Sequence, residues 1–161
     1  MKSIVLYPLR CNGCKECETV CSVRRTGLND PARSCIRIGK TDETEGFYLP
    51  VLCFQCSDAP CLNVCPAEAI FRDNGGKVVI RYDRCIGCSM CLAACPFGAM
   101  GFDEQVGRAF KCDLCGGAPE CVRVCEPRAL LYLETNEIGP LQGLSCARKF
   151  LTADRGGAGF S

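Results

Sequence analysis

Short apolar or alternating segments recur along the chain, and most of them lead into a cysteine-rich loop. Residues 3–7 and 48–52 have the composition of β-strands that enter such loops. Residues 34–38 alternate in the same way and predict one further strand. That strand lies within a polar stretch, residues 27–46, which is the largest insertion in the part of the chain that carries the cysteine loops.

Two β-hairpins are predicted further along the chain. In the first, β-prone residues 70–72 and 77–82 flank the turn Asp73-Asn74-Gly75-Gly76, a sequence of the Asn-Gly type that favours hairpins. The second hairpin is less regular, with Phe102 on one side and residues 108–110 on the other. A further apolar run covers residues 130–133. Short helical turns are expected around residues 15–24, 89–94 and 122–124.

Cysteine makes up 18 of the 161 residues, about 11%, above the roughly 8–10% that marks chains ordered through their sulfur atoms. The formal net charge is +1 and no histidine is present. Without a basic stripe, a nucleic-acid-binding function is not expected. No run approaches the ~18 apolar residues of a membrane span, and the first residues lack the pattern of a signal peptide. We therefore expect a cytoplasmic protein with no membrane span.

Location affects how the cysteines are interpreted. Disulfides are rare in a reducing cytoplasm, where dense cysteine patterns more often bind metal, so a secreted disulfide scaffold is disfavoured.

Sixteen cysteines form four quartets. The first and third have the spacing C-x2-C-x2-C-x3-C, the second C-x2-C-x4-C-x3-C and the fourth C-x2-C-x5-C-x3-C. In chain order the quartets are Cys11, Cys14, Cys17 and Cys21; Cys53, Cys56, Cys61 and Cys65; Cys85, Cys88, Cys91 and Cys95; and Cys112, Cys115, Cys121 and Cys125.

The first and third quartets have the spacing of bacterial two-cluster ferredoxins, in which the fourth cysteine ligates the neighbouring [4Fe-4S] cluster. Four zinc ions could also take sixteen thiolates, but zinc sites use two C-x2-C pairs and do not explain the repeated third and fourth cysteines. The sequence therefore predicts four [4Fe-4S] clusters. It predicts an α+β fold of tandem bacterial-type two-cluster ferredoxin units, with short β-hairpins and short helices around the clusters.

Residues near the quartets repeat as well. Four residues after the last cysteine of quartets two, three and four comes an alanine, namely Ala69, Ala99 and Ala129. Quartet one has no such alanine and no trailing proline, which leaves the path after Cys21 undefined. The two cysteines outside the quartets, Cys35 and Cys146, are predicted not to be cluster ligands.

Side chains within or beside the quartets have predicted supporting roles. Glycines are expected where ligand loops approach a cluster, at Gly13, Gly87 and Gly116. Apolar side chains expected to exclude water are Phe54, Phe71, Ile86, Leu92 and Phe97. Five cations, Lys15, Arg24, Arg84, Lys111 and Arg123, either raise cluster potentials or are solvated surface charges, and the second interpretation is favoured.

The four quartets in order, Cys-Pro after the second and third, and the opening Lys111-Cys112-Asp113-Leu114-Cys115 of the fourth resemble one family. It comprises the four-cluster ferredoxin-like electron-transfer subunits of the dimethyl sulfoxide reductase small-subunit type, and the resemblance covers about residues 3–135. It implies a nested pairing of quartet one with four and two with three. The implied ligand sets are Cys11, Cys14, Cys17 with Cys125; Cys112, Cys115, Cys121 with Cys21; Cys53, Cys56, Cys61 with Cys95; and Cys85, Cys88, Cys91 with Cys65. The residues alone also allow sequential pairing, one with two and three with four.

The resemblance also implies a domain organisation and a function. Residues 1–136 would form the four-cluster domain, with the outer cluster pair from 1–26 and 104–136 and the inner pair from 47–103. Beyond the part that the resemblance covers, the character of the sequence changes from Glu137, and residues 137–161 are expected to form a C-terminal arm that docks on a partner. The alternative is that this segment folds back on the chain's own body. Four thiolates saturate the irons of each cluster, so no catalytic residues are expected, and the chain is predicted to be a non-catalytic electron-transfer subunit of a hetero-oligomer.

The catalytic partner implied is a molybdenum or tungsten pterin oxidoreductase, with hydrogenase or carbon monoxide dehydrogenase as alternatives, in anaerobic metabolism. Two other functions stay open at this point. One is a freely diffusing polyferredoxin, which would have no stable partner. The other is a cluster-assembly accessory protein, whose clusters would be labile and transferable.

Overall fold

The computed structural model describes residues 2–40, 48–134 and 136. In this part of the chain, short strands and short helices alternate, which confirms the α+β class. The strands are β1 (Lys2–Leu6), β2 (Ile36–Lys40), β3 (Tyr48–Leu52), β4 (Ile70–Arg72), β5 (Val78–Ile80), β6 (Gly101–Asp103), β7 (Arg108–Phe110) and β8 (Leu130–Glu134). The helices are α1 (Glu16–Thr26), α2 (Pro60–Asn63), α3 (Met90–Ala94) and α4 (Glu120–Arg123), with 3₁₀ turns at Pro8–Arg10, Pro31–Arg33 and Leu114–Gly117.

Both predicted hairpins are present. Strands β4 and β5 pair antiparallel with Ile70 opposite Ile80, and β6 and β7 pair with Gly101 opposite Phe110. The β4–β5 turn is held by Asp73, whose Oδ1 accepts hydrogen bonds from the backbone N–H groups of Gly75 and Lys77, both at 2.9 Å. Asp73 therefore closes the turn with its own side chain, as aspartate commonly does in tight turns.

The first and last strands of the described chain pair with each other. Strands β1 and β8 are antiparallel, from Lys2 opposite Glu134 to Leu6 opposite Leu130. The sequence predicts the two strands but contains no local signal for their pairing. The pairing brings the segment before quartet one beside the segment after quartet four, and α1 packs against α4 in the same region.

The described residues bury two separate apolar clusters. The first combines β1, β8 and α1 with β2, β3 and the fourth quartet, and its members are Ile4, Cys17, Ile36, Leu52, Leu114, Cys121 and Leu130. The second lies around the two hairpins, and its members are Ala59, Cys61, Ile70, Val78, Cys91, Met100 and Ala109. Cysteines thus occupy core positions in both clusters, as expected for a chain whose other apolar residues are few.

Helix α1 is longer than the other helices and ends in a different way. It has 11 residues and stops at Gly27, whose φ of 76° is the left-handed conformation common after a helix, with the Gly27 N–H bonded to the Val23 carbonyl. Cys21 lies inside this helix and is followed by Ser22, whereas Pro66 and Pro96 follow the last cysteines of quartets two and three. Because proline cannot continue a hydrogen-bonded helix, the chain turns after those quartets but continues as helix after Cys21.

An ion-pair network fixes the insertion between quartets one and two against the second hairpin. Asp103 in β6 is 5% exposed and accepts hydrogen bonds from Arg25 Nη2 at 3.2 Å and Arg33 Nε at 3.0 Å. The Arg25 guanidinium also lies 3.7 Å from the centre of the Phe110 ring. Hydrogen bonds from Arg33, and then from Arg25, lower the pKa of Asp103 below its usual value. The network therefore joins the first core region to the second.

Among the described helices, none is long and apolar enough to cross a membrane.

Candidate iron-sulfur sites

Four cavities in the described part of the chain account for all sixteen quartet cysteines. Each cavity is lined by three cysteines from one quartet and the fourth cysteine of another. We name each cavity after its first cysteine. The Cys11 cavity has Cys11, Cys14, Cys17 and Cys125; the Cys21 cavity has Cys21, Cys112, Cys115 and Cys121; the Cys53 cavity has Cys53, Cys56, Cys61 and Cys95; and the Cys65 cavity has Cys65, Cys85, Cys88 and Cys91.

Local backbone conformation makes the ligand loops tight. Gly13 and Gly87 occupy matching positions in quartets one and three, with φ of 75° and 71°. A Cβ at Gly87 would lie 2.3 Å from the carbonyl oxygen of Gly107, a backbone atom that cannot move aside easily. Glycine is therefore required there for steric reasons as well as for its backbone angle. At Gly116, φ is 72° but a Cβ would meet nothing within 4 Å, so only the backbone angle favours glycine.

Backbone N–H groups point at several of the cysteine sulfurs. The Ala69 N–H donates to Cys65 Sγ at 3.3 Å and the Ala99 N–H to Cys95 Sγ at 3.4 Å. Cys112 Sγ accepts from the N–H of Leu114 at 3.4 Å. In quartets two and three, the alanine four residues after the last cysteine therefore belongs to a turn that donates to sulfur. Such donors stabilise thiolates, the form in which cysteine binds metal.

The donor set and its arrangement fit a cluster better than a single ion. Among the described residues, no three cysteine or carboxylate side chains converge closely enough to hold one metal ion. A zinc ion needs its sulfur ligands at about 2.3 Å from one point. Four thiols placed around a space, with apolar lining between them, suit the wider [4Fe-4S] group.

The family comparison agrees with this donor set. Residues 44–135 match the 4Fe-4S dicluster domain, and residues 8–24 match a 4Fe-4S binding domain. The chain belongs to the 4Fe-4S dicluster domain family. The dicluster match covers quartets two, three and four, and the shorter match covers quartet one.

Several relatives of this chain are named as subunits of oxidoreductases. It is 39% identical to the polyferredoxin-like subunit of aliphatic sulfonate oxidoreductase from Pyrococcus furiosus, over 55% of this chain and 50% of that one. It is 37% identical to the iron-sulfur subunit of arsenate respiratory reductase from a Shewanella species, over 51% of this chain and 36% of that one. A subunit of the tetrathionate reductase of Salmonella typhimurium is 34% identical to it, over 51% of this chain and 35% of that one.

The chain thus spans half or less of the length of these relatives. The two family matches confirm the prediction from sequence of an iron-sulfur, ferredoxin-like protein with 4Fe-4S domains.

A buried cation lies beside two of the four cavities. Lys111 is 4% exposed and lines both the Cys21 cavity and the Cys53 cavity. Its Nζ donates to the backbone carbonyls of Val78 and Cys112, and no carboxylate in the described part of the chain pairs with it. The expectation of a solvated surface charge is wrong for this residue, whereas the other four candidate cations are exposed: Lys15, Arg24, Arg84 and Arg123.

A buried ammonium group without an anionic partner is costly. The [4Fe-4S] group with four thiolates carries net negative charge. The position of Lys111 therefore provides an independent sign that anionic groups belong in the two cavities beside it.

Burial and hydrogen bonding shift the pKa values of the cysteine thiols in opposite directions. Burial raises the pKa of Cys17 to about 12 and that of Cys112 to about 12. A hydrogen bond from the Cys35 side chain lowers the pKa of Cys21 to about 6. Most core thiols of the metal-free chain are therefore protonated at neutral pH, and metal binding there must release protons.

Sequence reasoning missed two residues around the cavities. Cys35 lies on the wall of the Cys21 cavity as a fifth sulfur. Gln55 is 2% exposed and joins two separate backbone segments, because its side chain donates to the Cys112 carbonyl at 2.8 Å and accepts from the Val78 N–H at 2.7 Å. Neither residue has a spacing that distinguishes it, so no local pattern could have identified them.

Three of the five apolar side chains that were predicted to shield the clusters line a cavity, and all three are exposed to solvent on one side. Phe54 and Phe97 line the Cys53 cavity and contact each other edge to face, with ring centres 4.7 Å apart. Ile86 lines the Cys65 cavity and is 69% exposed. These side chains cover the cavities and also present apolar surface outward.

Proposed function

We propose that this chain is an electron-transfer subunit that holds four [4Fe-4S] clusters and relays electrons between a catalytic oxidoreductase subunit and a redox partner. The observation that carries the proposal is the set of four cavities, each lined by four quartet cysteines. When bound, each cluster supplies a one-electron carrier.

The proposed ligand sets are the four cavity sets, and they have the nested order. Quartets one and four hold an outer pair of clusters, and quartets two and three an inner pair, within a four-cluster domain of residues 1–136. The pairing of β1 with β8 supports this order because it brings the two ends of the domain together. The position of Cys21 on the same cavity as Cys112 supports it directly, since sequential pairing needs Cys21 beside quartet two.

The protein residues have three roles in this function. The sixteen thiolates saturate the irons and leave no position for a substrate, so the chain is not itself catalytic. Backbone donors such as the Ala69 and Ala99 N–H groups stabilise sulfur charge, and Lys111 supplies a buried positive charge beside two cavities. Apolar side chains such as Phe54 and Phe97 limit water at the Cys53 cavity, and solvent exposure is one of the factors that set cluster potentials.

The proposed partner is the catalytic subunit of an oxidoreductase complex, with a molybdenum or tungsten pterin enzyme favoured over hydrogenase or carbon monoxide dehydrogenase. A catalytic partner is supported by relatives that are named as subunits of an aliphatic sulfonate oxidoreductase, an arsenate reductase and a tetrathionate reductase. The preference for a molybdenum or tungsten enzyme rests on the family resemblance of the sequence. Exposed apolar side chains at two cavities, Phe97 and Ile86, offer surface for docking. The proposed arm of residues 137–161 lies outside the described residues and stays a prediction.

Anaerobic purification of the native protein tests the proposal. We expect a larger oxidoreductase subunit to remain associated through gel filtration, and we expect the substrate of that larger chain to bleach the iron-sulfur absorbance of the complex. A chain that elutes alone and exchanges electrons with several soluble donors would instead be a freely diffusing polyferredoxin. Transfer of its clusters to an apo-acceptor would indicate an assembly protein.

A further inference from the structure

The Cys21 cavity differs from the other three because a fifth cysteine lies on its wall. Cys35 is 9% exposed, and its backbone N–H donates to Cys21 Sγ at 3.3 Å. Its side chain lines the same cavity as Cys21, within reach of the same sulfur. One residue, 14 positions away in the chain, therefore brings both a backbone N–H and a thiol to one proposed cluster ligand.

The reason for this arrangement lies in the length of α1. In quartets two and three, the fourth cysteine accepts an N–H from the alanine four residues later. The residue four positions after Cys21 is Arg25, which lies inside α1, where its N–H belongs to the hydrogen bonds of the helix. Cys35 supplies the donor that the helix makes inaccessible.

Cys35 is held firmly where it approaches Cys21. The neighbouring Ser34 is 1% exposed, and its hydroxyl donates to the Ile36 carbonyl at 2.7 Å and accepts from the Ile36 N–H at 3.2 Å. This closed turn precedes β2, which pairs with β3 in fixed register. The folded segment between quartets one and two therefore fixes the position of Cys35 beside Cys21.

We infer that Cys35 is a positioning residue that raises the reduction potential of the cluster held by Cys21, Cys112, Cys115 and Cys121, an inference that rests on the proposed function. A hydrogen bond to a ligand sulfur stabilises the more negative, reduced state more than the oxidised state. The cluster gains one electron from its redox partner, no bond to Cys35 forms or breaks, and the Cys35 proton stays on its own sulfur. Cys35 is therefore a donor to a ligand and not a ligand.

Potentiometric titration followed by electron paramagnetic resonance tests this in the full chain, purified anaerobically with its clusters. In Cys35→Ala we expect one of the four reduction potentials to fall. The equilibrium constant for reduction of that cluster should decrease by up to about tenfold, which is about 59 mV for one electron. The variant Cys35→Ser keeps a side-chain donor and should recover most of that loss. Cys146→Ala removes the other cysteine outside the quartets and should leave all four potentials unchanged.

Each outcome decides the inference. Four unchanged potentials in Cys35→Ala would overturn it, and so would a serine variant that behaves like alanine, because the effect would then be packing. Loss of one cluster in Cys35→Ala would make Cys35 a ligand and would also overturn it. A wild-type chain that shows fewer than four clusters would contradict the proposed function instead, so the two failures are distinguishable.

Discussion

The double variant Cys21→Ala with Cys112→Ala is expected to lose one intact [4Fe-4S] cluster, no more than either single variant loses. Both cysteines line the same cavity and are proposed to hold the same cluster, so the second substitution acts on a site that the first has already broken. Spin quantitation of the fully reduced protein, together with its iron content, measures the loss.

A matched double variant separates shared from additive loss. Cys21→Ala with Cys125→Ala removes the last cysteines of quartets one and four, which line different cavities, and is expected to lose two clusters. Loss of two clusters from the Cys21 and Cys112 pair would contradict the nested ligand sets. That result is what sequential pairing predicts, because Cys21 would then serve quartet two.

Lys111→Met is expected to lower two of the four reduction potentials at once. The ammonium group is buried beside the Cys21 and Cys53 cavities and has carbonyl oxygens as its hydrogen-bond acceptors, so its charge is weakly screened by solvent. Removing the positive charge disfavours the additional electron in both clusters. We expect the equilibrium constant for reduction of each of the two clusters to decrease by about tenfold, which is equivalent to about 59 mV per electron.

Lys77→Met is the matched control for that experiment. Lys77 also lies in the inner region, but its Nζ pairs with Asp73 at 3.2 Å in the hairpin turn. Its loss should leave all four potentials in place, as expected for a charge near solvent. Four unchanged potentials in Lys111→Met would refute the role of Lys111 as a charge shared by two sites, and a change in only one potential would restrict it to a single site.

Local features of the chain could be predicted because their causes are local. Cysteine spacing identified the sixteen thiols that line the four cavities, and the sequence around Asp73 identified the first hairpin. The extension of α1 was partly predictable, since quartet one lacks the proline that ends the helical turn in quartets two and three. In each case the residues that decide the outcome are within a few positions of one another.

Features that join distant segments could not be predicted in this way. The pairing of β1 with β8 and the contacts of Asp103 with Arg25 and Arg33 depend on how separate units pack. The burial of Lys111 could not be predicted either. A lysine beside a cysteine loop is usually solvated, and only the packing of the folded chain around Lys111 buries it. Cys35 shows the same limit, because only the fold brings it to Cys21.

Iron and acid-labile sulfide in the anaerobically purified full chain test the four-cluster claim most directly. Four [4Fe-4S] clusters predict about 16 irons and about 16 sulfides per chain, with zinc absent. About eight irons would leave two of the four cavities without their proposed occupants. Zinc in place of iron and sulfide would contradict the account, because each cavity would then hold a single ion.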